Sequence, residues 1–479
     1  MGEAIVLGLS SYDRSDLPPV SLRNMYYEKA PTNLEDQVAL IPRPRLKSFA
    51  ITHADGTLGA GPMMGLYREG GVIGGAIVAL AGDKLFTVTQ AGVPGTGTAT
   101  LIGTVEGSGL RMTAEGNLST VVLTCGTKLY QTNGASISQI TMPDNRNAFA
   151  VDTLNNYFLV ASDVGRFYWS AVGGTSIDPL DYATAESQPD GLMTLKVLGD
   201  ELWLVGRLSV EVWQPTGDLD LPFQRIDGRV FGIGITARDT CQKVNVGGVD
   251  KMIWLGTDRR VYWTNPNPEQ ISDAALDELL RGIELSITDN SVNPYACVYP
   301  WEGHDFYVLH IPGHGSKVFD LKTGRWSDAD SYGSDFFRVG VSAIGPNNQP
   351  LLGDDTTNRI WELTTATKTD GEDPVTFEFS GLVEVPGAPV RCNNVMLDVT
   401  TGSASTTDED PTIALYVSDD MGQTWDDPEV EHLGRQGQRD TRVMWARLGQ
   451  MINPGRIFRW RTAEPVTVRK AKYNESYRR

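Results

Sequence analysis

Few residues in this chain have the types and spacing that chemistry needs. His304, His310 and His314 form a cluster within a total of five histidines. His304 and His310 stand six apart on a segment of strand character, so they share a face. His314 follows the Pro312-Gly313 turn. Zinc takes three convergent ligands and a carboxylate or other fourth group, and these three residues do not supply that set. Gly313-His-Gly-Ser-Lys317 has the end of a phosphate loop without its first glycine, and no helix follows. GxSxG, HExxH and a strand–GxGxxG–helix unit are all missing. The acidic pairs Asp354-Asp355 and Asp426-Asp427 sit where turns are expected and read as turn formers. Cys125, Cys241, Cys297 and Cys392 lie far apart without CxxC spacing, which predicts buried free thiols in a reducing compartment. The reading assigns no catalytic residue, no cofactor-binding residue and no metal ligand, and expects no enzyme and no cofactor.

One short motif stands apart. Ser418-Asp-Asp-Met-Gly-Gln-Thr-Trp425 fits S-x-D-x-G-x-T-W and resembles the Asp-box of sialidases and related β-proteins. The resemblance implies a brace: Ser and Asp tie a hairpin turn, Gly takes positive φ, and Trp packs beneath. A sialidase also needs an arginine triad and a Tyr–Glu pair, which the sequence does not place.

The chain has 479 residues, 40% of them hydrophobic and 21% charged, with 51 glycines. That balance fits a turn-rich all-β chain of two or three domains. The net charge is −19. Tight sequence-independent binding of nucleic acid needs clustered Lys and Arg to displace counterions, so this charge argues against it. It is compatible with a surface that nucleic acid passes without sticking. No apolar run approaches the ~20 residues of a membrane span. Met1–Ser11 lacks the basic start of a signal peptide, so a soluble protein that starts in the cytoplasm is expected.

The elements are hairpins. Glu201–Val205 and Ser209–Trp213 are joined by Gly206, Arg207 and Leu208. The second run alternates, with Val210 and Val212 on one face and Glu211 and Trp213 on the other. The same grammar recurs at Ala76–Val88, Thr120–Gln131, Tyr157–Ser170, Lys251–Thr264, Asp305–Leu321 and Leu351–Leu363. A unit repeating at roughly 40–50 residues predicts a β-propeller of six or seven blades. Asp273–Leu285 is the exception. Leu276, Leu279, Leu280 and Ile283 stand at helical spacing, with Ser272 as the predicted N-cap.

The expected domains are an extended N-terminal arm over 1–50, a propeller-like domain over 51–368 and a C-terminal β-sandwich over 369–479. The arm is rich in proline and is expected to supply one strand. A polar linker is expected at 366–374, and six strands beyond it fit a sandwich. From Arg442 to Arg479 there are ten Lys or Arg and two acids. Arg459 and Arg461 alternate with Phe458 and Trp460, which predicts a basic and an aromatic strand face. The basic face could be solvated or could meet an acidic partner, a second copy of the chain included.

Ala185-Glu-Ser-Gln-Pro-Asp-Gly191, followed by a Gly-linked hairpin ending in Thr216-Gly217, resembles the tail-hub protein of short-tailed bacteriophages of the Salmonella-phage type. That family is also called the packaged-DNA stabilisation protein or tail nozzle. Val20–Met25, Leu46-Lys-Ser-Phe49, Val443–Gly449 and Glu464–Thr467 resemble the family at matching positions. The resemblance implies a structural virion protein: a homohexamer below the head-to-tail adaptor that continues the channel for double-stranded DNA. It also implies contacts with tailspikes or fibres and with a needle or plug. Its role would be to retain packaged DNA and allow genome ejection, with assembly in the host bacterial cytoplasm. The alternative is a propeller that binds or degrades host glycans, motivated by the Asp-box and by Trp203, Trp213, Trp254 and Trp263. Exposed tryptophans in a groove would favour the alternative, and buried tryptophans would favour the hub.

Overall fold

The computed structural model describes residues 3–13, 19–29, 38–51, 61–90, 95–106, 109–185, 188, 190–286, 292–403 and 409–477. They fall into two compact units. One contains Lys47–His314 and Arg338–Leu363. The other contains Met1–Leu46, Gly315–Phe337 and Thr364–Arg479.

Six four-stranded antiparallel sheets are the blades of a β-propeller. Blades 1 to 5 follow the chain in order, within residues 63–104, 113–140, 148–184, 192–231 and 242–270. Blade 6 combines Val339–Ile344, Pro350–Asp354 and Arg359–Thr364 with the early strand Arg45–Ile51. Phe49 and Ala50 from that strand share a core with Leu351 and Ile360. Between blades 5 and 6 stands the hairpin of Tyr295–Trp301 and His304–Ile311. Seven hairpins were legible in the sequence. The one at 305–321 is divided, its first strand in the propeller unit and Gly315–Asp320 in the other unit.

The second strands of blades 1 and 2, Ile77–Ala81 and Val121–Cys125, are buried at every position. The alternation read at 209–213 does not mark a wet face, because Val210, Glu211, Val212 and Trp213 are all buried. A stacked blade has a neighbour on each side. Leu202, Leu204 and Trp213 of blade 4 pack with Leu159 and Phe167 of blade 3. Trp203, Val205, Val210 and Val212 pack with Met252 and Trp254 of blade 5. Glu211 is held by the Trp213 indole, which donates to its carboxylate at 3.1 Å.

The predicted helix is Ala274–Gly282, but its cap lies one residue further on than expected. Asp273, not Ser272, accepts the Leu276 amide at 2.9 Å. The Ser272 hydroxyl accepts the Val261 amide and donates to Asp277, so it is committed to the blade edge.

The other unit is a β-sandwich. One ladder joins Phe377–Glu384, Gly455–Thr462, Thr412–Ser418 and Glu429–His432. The second joins Val390–Val399, Val468–Tyr477 and Val443–Ala446. Phe377, Phe379, Trp445, Phe458 and Trp460 fill the core between them. The segment read as an arm provides four strands: Glu3–Leu7, Leu22–Arg23, Met25–Lys29 and Val38–Pro42. Glu3–Ile5 pair with Ala471–Tyr473 while Val6 and Leu7 pair with Leu382 and Gly381, so one strand bridges both ladders.

The segment read as a polar linker contains a buried charge. Asp370, 2% exposed, pairs with Arg43, 6% exposed, at 2.6 Å. Arg43 also donates to Asn24 Oδ1 and the Asp330 carbonyl and lies over the Phe337 ring. Removing one partner of a buried pair strands the other charge. Asp370→Ala is therefore expected to lower stability by about 3–5 kcal/mol. Denaturant midpoints of the full chain measure this. A loss of the size seen for exposed ion pairs, under about 1 kcal/mol, would show that the pair is not needed.

Candidate functional site

The first strands of the blades surround the propeller axis and carry isolated charges. A cavity of about 160 Å³ is lined by Leu66, Arg111, Glu115, Thr194, Lys196 and Arg238, among others. Arg238 is the bolt. It donates to the carbonyls of Phe149 and Arg111, at 2.8 Å each, and pairs with Asp239 at 2.7 Å. Three chain segments are thereby held by one guanidinium.

Arg111 continues the network. It pairs with Asp355 at 2.6 Å and lies 3.7 Å over the Tyr295 ring. The Tyr295 hydroxyl donates to the same Asp355 carboxylate, and His310 stacks on Tyr295 at 4.6 Å. Burial lowers the His310 pKa to about 4, so the ring is neutral. Asp152 accepts the Val197 amide at 2.8 Å and lies 3.9 Å from Lys243. Glu115 faces the cavity. Desolvation, reinforced by the charge of Asp152, raises its carboxyl to about 8 against the pull of Lys243 and Lys196.

The titratable groups at this axis are held by fixed partners. Cys241 lines the cavity, and burial raises its thiol to about 12, which leaves no thiolate nucleophile at neutral pH. Among the described residues, no group of three or more His, Cys, Asp or Glu is placed to hold a metal ion. His304 is buried and stacks on Phe306, while His310 stacks on Tyr295. In the glycine-rich run, Gly313 and Gly315 have φ of 79° and 83°, and Lys317 pairs with Asp328 at 2.6 Å. Asp354 and Asp355 have separate tasks. Burial opposes ionisation of Asp354, but hydrogen bonds from Thr356 and Trp361 and the charge of Arg338 outweigh it and hold its pKa low.

The Asp-box forms as expected. Asp420 accepts the Thr424 amide and hydroxyl at 2.9 and 2.6 Å, and Ser418 Oγ accepts the Gly422 amide at 2.8 Å. The Thr424 bonds lower the Asp420 pKa to about 2. Gly422 has φ of 94°. Trp203, Trp213 and Trp254 are buried, and the partly exposed Trp263 is covered by Lys251 at 3.8 Å.

In the 185–191 turn, Glu186, Ser187 and Pro189 lie outside the described residues. Asp190 accepts the Leu208 and Ser209 amides at 2.6 and 2.9 Å, and the Ala185 amide donates to Gly165 of blade 3. The turn thus links blade 3 to the central hairpin of blade 4. Sequence reading missed Arg111, Glu115, Lys196 and Arg238. The available signal was a lone charge inside short strands such as Thr113-Ala-Glu-Gly116 and Leu192–Leu198.

A disulfide-free propeller with a braced polar axis, carried in one chain with a β-sandwich, defines a two-unit all-β protein. A family model described as Bacteriophage P22 Gp10, beta-propeller, matches residues 23–368, and a second, Bacteriophage P22 Gp10, beta-sandwich, matches residues 379–474. The chain belongs to the bacteriophage P22 Gp10 family and is a structural component of a phage tail. A search of curated proteins gives no match. Among solved structures, the chain is similar to the extracellular domain of a hybrid two-component system from B. thetaiotaomicron at 10% identity and a TM-score of 0.44. That match covers 87% of this chain and 58% of the other. It is also similar to the Neurospora crassa Pan2 WD40 domain at 11% identity and a TM-score of 0.40, covering 69% and 99%. Among the described residues, no helix is long and apolar enough to cross a membrane.

The raised Glu115 pKa has a signed consequence. The folded state holds the proton more tightly than the unfolded chain, so stability falls as pH rises from about 4.5 to about 8. Glu115→Gln is expected to flatten that fall and to raise the melting temperature at the upper end of the window. A pH series of thermal melts tests this, and parallel profiles for the two proteins would refute it. His310 has the opposite sign: its contribution is present above pH 6.5 and is lost as pH falls to about 4.

Proposed function

We propose that this chain is the tail hub, or nozzle, of a short-tailed phage. Six copies form a ring that continues the DNA channel below the head-to-tail adaptor, retains the packaged genome and releases it on infection. The ring anchors tailspikes or fibres and meets a needle or plug at its tip, and the chain performs no enzymatic step. The observation that carries this reading is the match of both P22 Gp10 families to one chain.

The physical chemistry supports it. Four buried free cysteines suit assembly in a reducing bacterial cytoplasm. A net charge of −19 per copy supplies carboxylates for a channel wall that repels phosphates, so that DNA slides without counterion-releasing contacts. Trp203, Trp213 and Trp254 are buried and the partly exposed Trp263 is covered by Lys251, which supports the hub over a glycan-binding groove.

Native mass measurement and electron microscopy of the full chain, alone and with the adaptor ring, test the proposal. A six-copy ring seated on the adaptor is the expected result. A chain that stays monomeric and never joins the adaptor would overturn it.

A further inference from the structure

One row of side chains crosses a face of the sandwich unit. Its cross-strand order is Lys317, Asp328, Arg23, Glu378, Arg461, Ala414 and Val430. The charges alternate and are matched. Lys317 pairs with Asp328 at 2.6 Å, Arg23 pairs with Asp330 at 3.2 Å, and Arg461 pairs with Glu378. Cross-strand opposite charges of this kind stabilise a sheet.

Arg459 stands one row away, on the same strand as Arg461, and its cross-strand neighbours are Ser380 and Tyr416. Neither is an anion. Its guanidinium lies 3.7 Å over the Trp425 ring and 5.3 Å over Tyr416. Its Nε is buried and has no hydrogen-bond partner among the described residues. Burial, with the nearby positive charges of Arg461 and Arg23, works against this cation, and Glu378 offsets only part of that. Arg23, Arg461 and Lys317 on this face each pair with a carboxylate, whereas Arg459 is held by aromatic rings with no ion pair among the described residues.

We propose that Arg459 is a docking point for a carboxylate side chain of an acidic protein segment, with Trp425, Tyr416 and the exposed Val430 receiving that segment's apolar neighbours. Val430 is 55% exposed. Arg, Trp and Tyr are the residue types that dominate binding energy at protein interfaces, where they form desolvated anchors. A protein carboxylate fits better than a phosphate backbone because the surrounding row is already neutralised, leaving one guanidinium instead of a basic track. The inference stands on this face alone and does not depend on the ring.

The test uses the full chain and an array of short peptides that combine Asp or Glu with Leu, Val or Tyr, with a 20-base-pair DNA duplex as the competing probe. Affinities are read by fluorescence anisotropy. The wild type is expected to retain acidic–apolar peptides and to release them as salt rises. Arg459→Met keeps the stack on Trp425 and removes the charge, so it should bind them about tenfold more weakly with an unchanged melting temperature. Arg459→Lys should recover part of the loss. Val430→Glu, at an exposed site that the fold tolerates, should also weaken binding by adding a like charge at the margin. The proposal is overturned by equal peptide affinity in wild type and R459M, by an array with no preference for acidic peptides, or by duplex DNA whose binding depends on Arg459. Failure of this site would leave the ring assay unaffected, so the two proposals fail separately.

Discussion

A four-stranded sheet with two apolar faces is not stable alone, and the propeller unit follows from that constraint. In blade 4 the residues facing blade 3 and those facing blade 5 are equally dry. Burial at about 25 cal/mol per Å² of apolar surface is realised only when the next blade is present, so the blades stabilise one another in series. Blade 6 is completed by Arg45–Ile51, a strand from far earlier in the chain. A ring whose last sheet is completed by an early strand resists fraying from its ends.

The sandwich unit solves a different problem, because it is assembled from three separated chain segments. Arg43 touches all three: Asn24 in the first, Asp330 and Phe337 in the second, and Asp370 in the third. A guanidinium suits this task. It presents five donors in a fixed fork and remains charged when buried. The strand Glu3–Leu7 performs the matching task for the backbone by pairing with both ladders.

Several charges in this protein are internal braces. Arg238 and Arg111 tie blades at the axis, Asp354 and Asp420 tie turns, and Arg456 pairs with Asp419 at 2.6 Å. Each is a charged group aimed at neighbouring backbone or at a fixed partner. That use of charge fits a scaffold. Arg459 departs from the pattern, because among the described residues its side chain has stacking partners and no ion pair.

The sequence by itself determined the all-β class, the recurring hairpins, the Asp-box brace and the family resemblance. Each depends on local order: period-two alternation, Gly and Pro at turns, and a motif whose bonds span six residues. It also located the basic and aromatic faces of the strand carrying Arg459 and Trp460, because neighbours on one strand alternate by geometry. Only the tertiary structure decided the rest. Alternation at Val210–Trp213 reads the same whether the second face meets water or another blade, so the burial of Glu211 was not legible. The polar composition of 366–374 hid Asp370, whose partner lies over 300 residues away in sequence. The axial set of Arg111, Glu115, Lys196 and Arg238 is spread over more than 120 residues, on or beside blades 2, 4 and 5. Nothing local distinguishes those charges from solvated ones, and only closure of the ring brings them to one cavity.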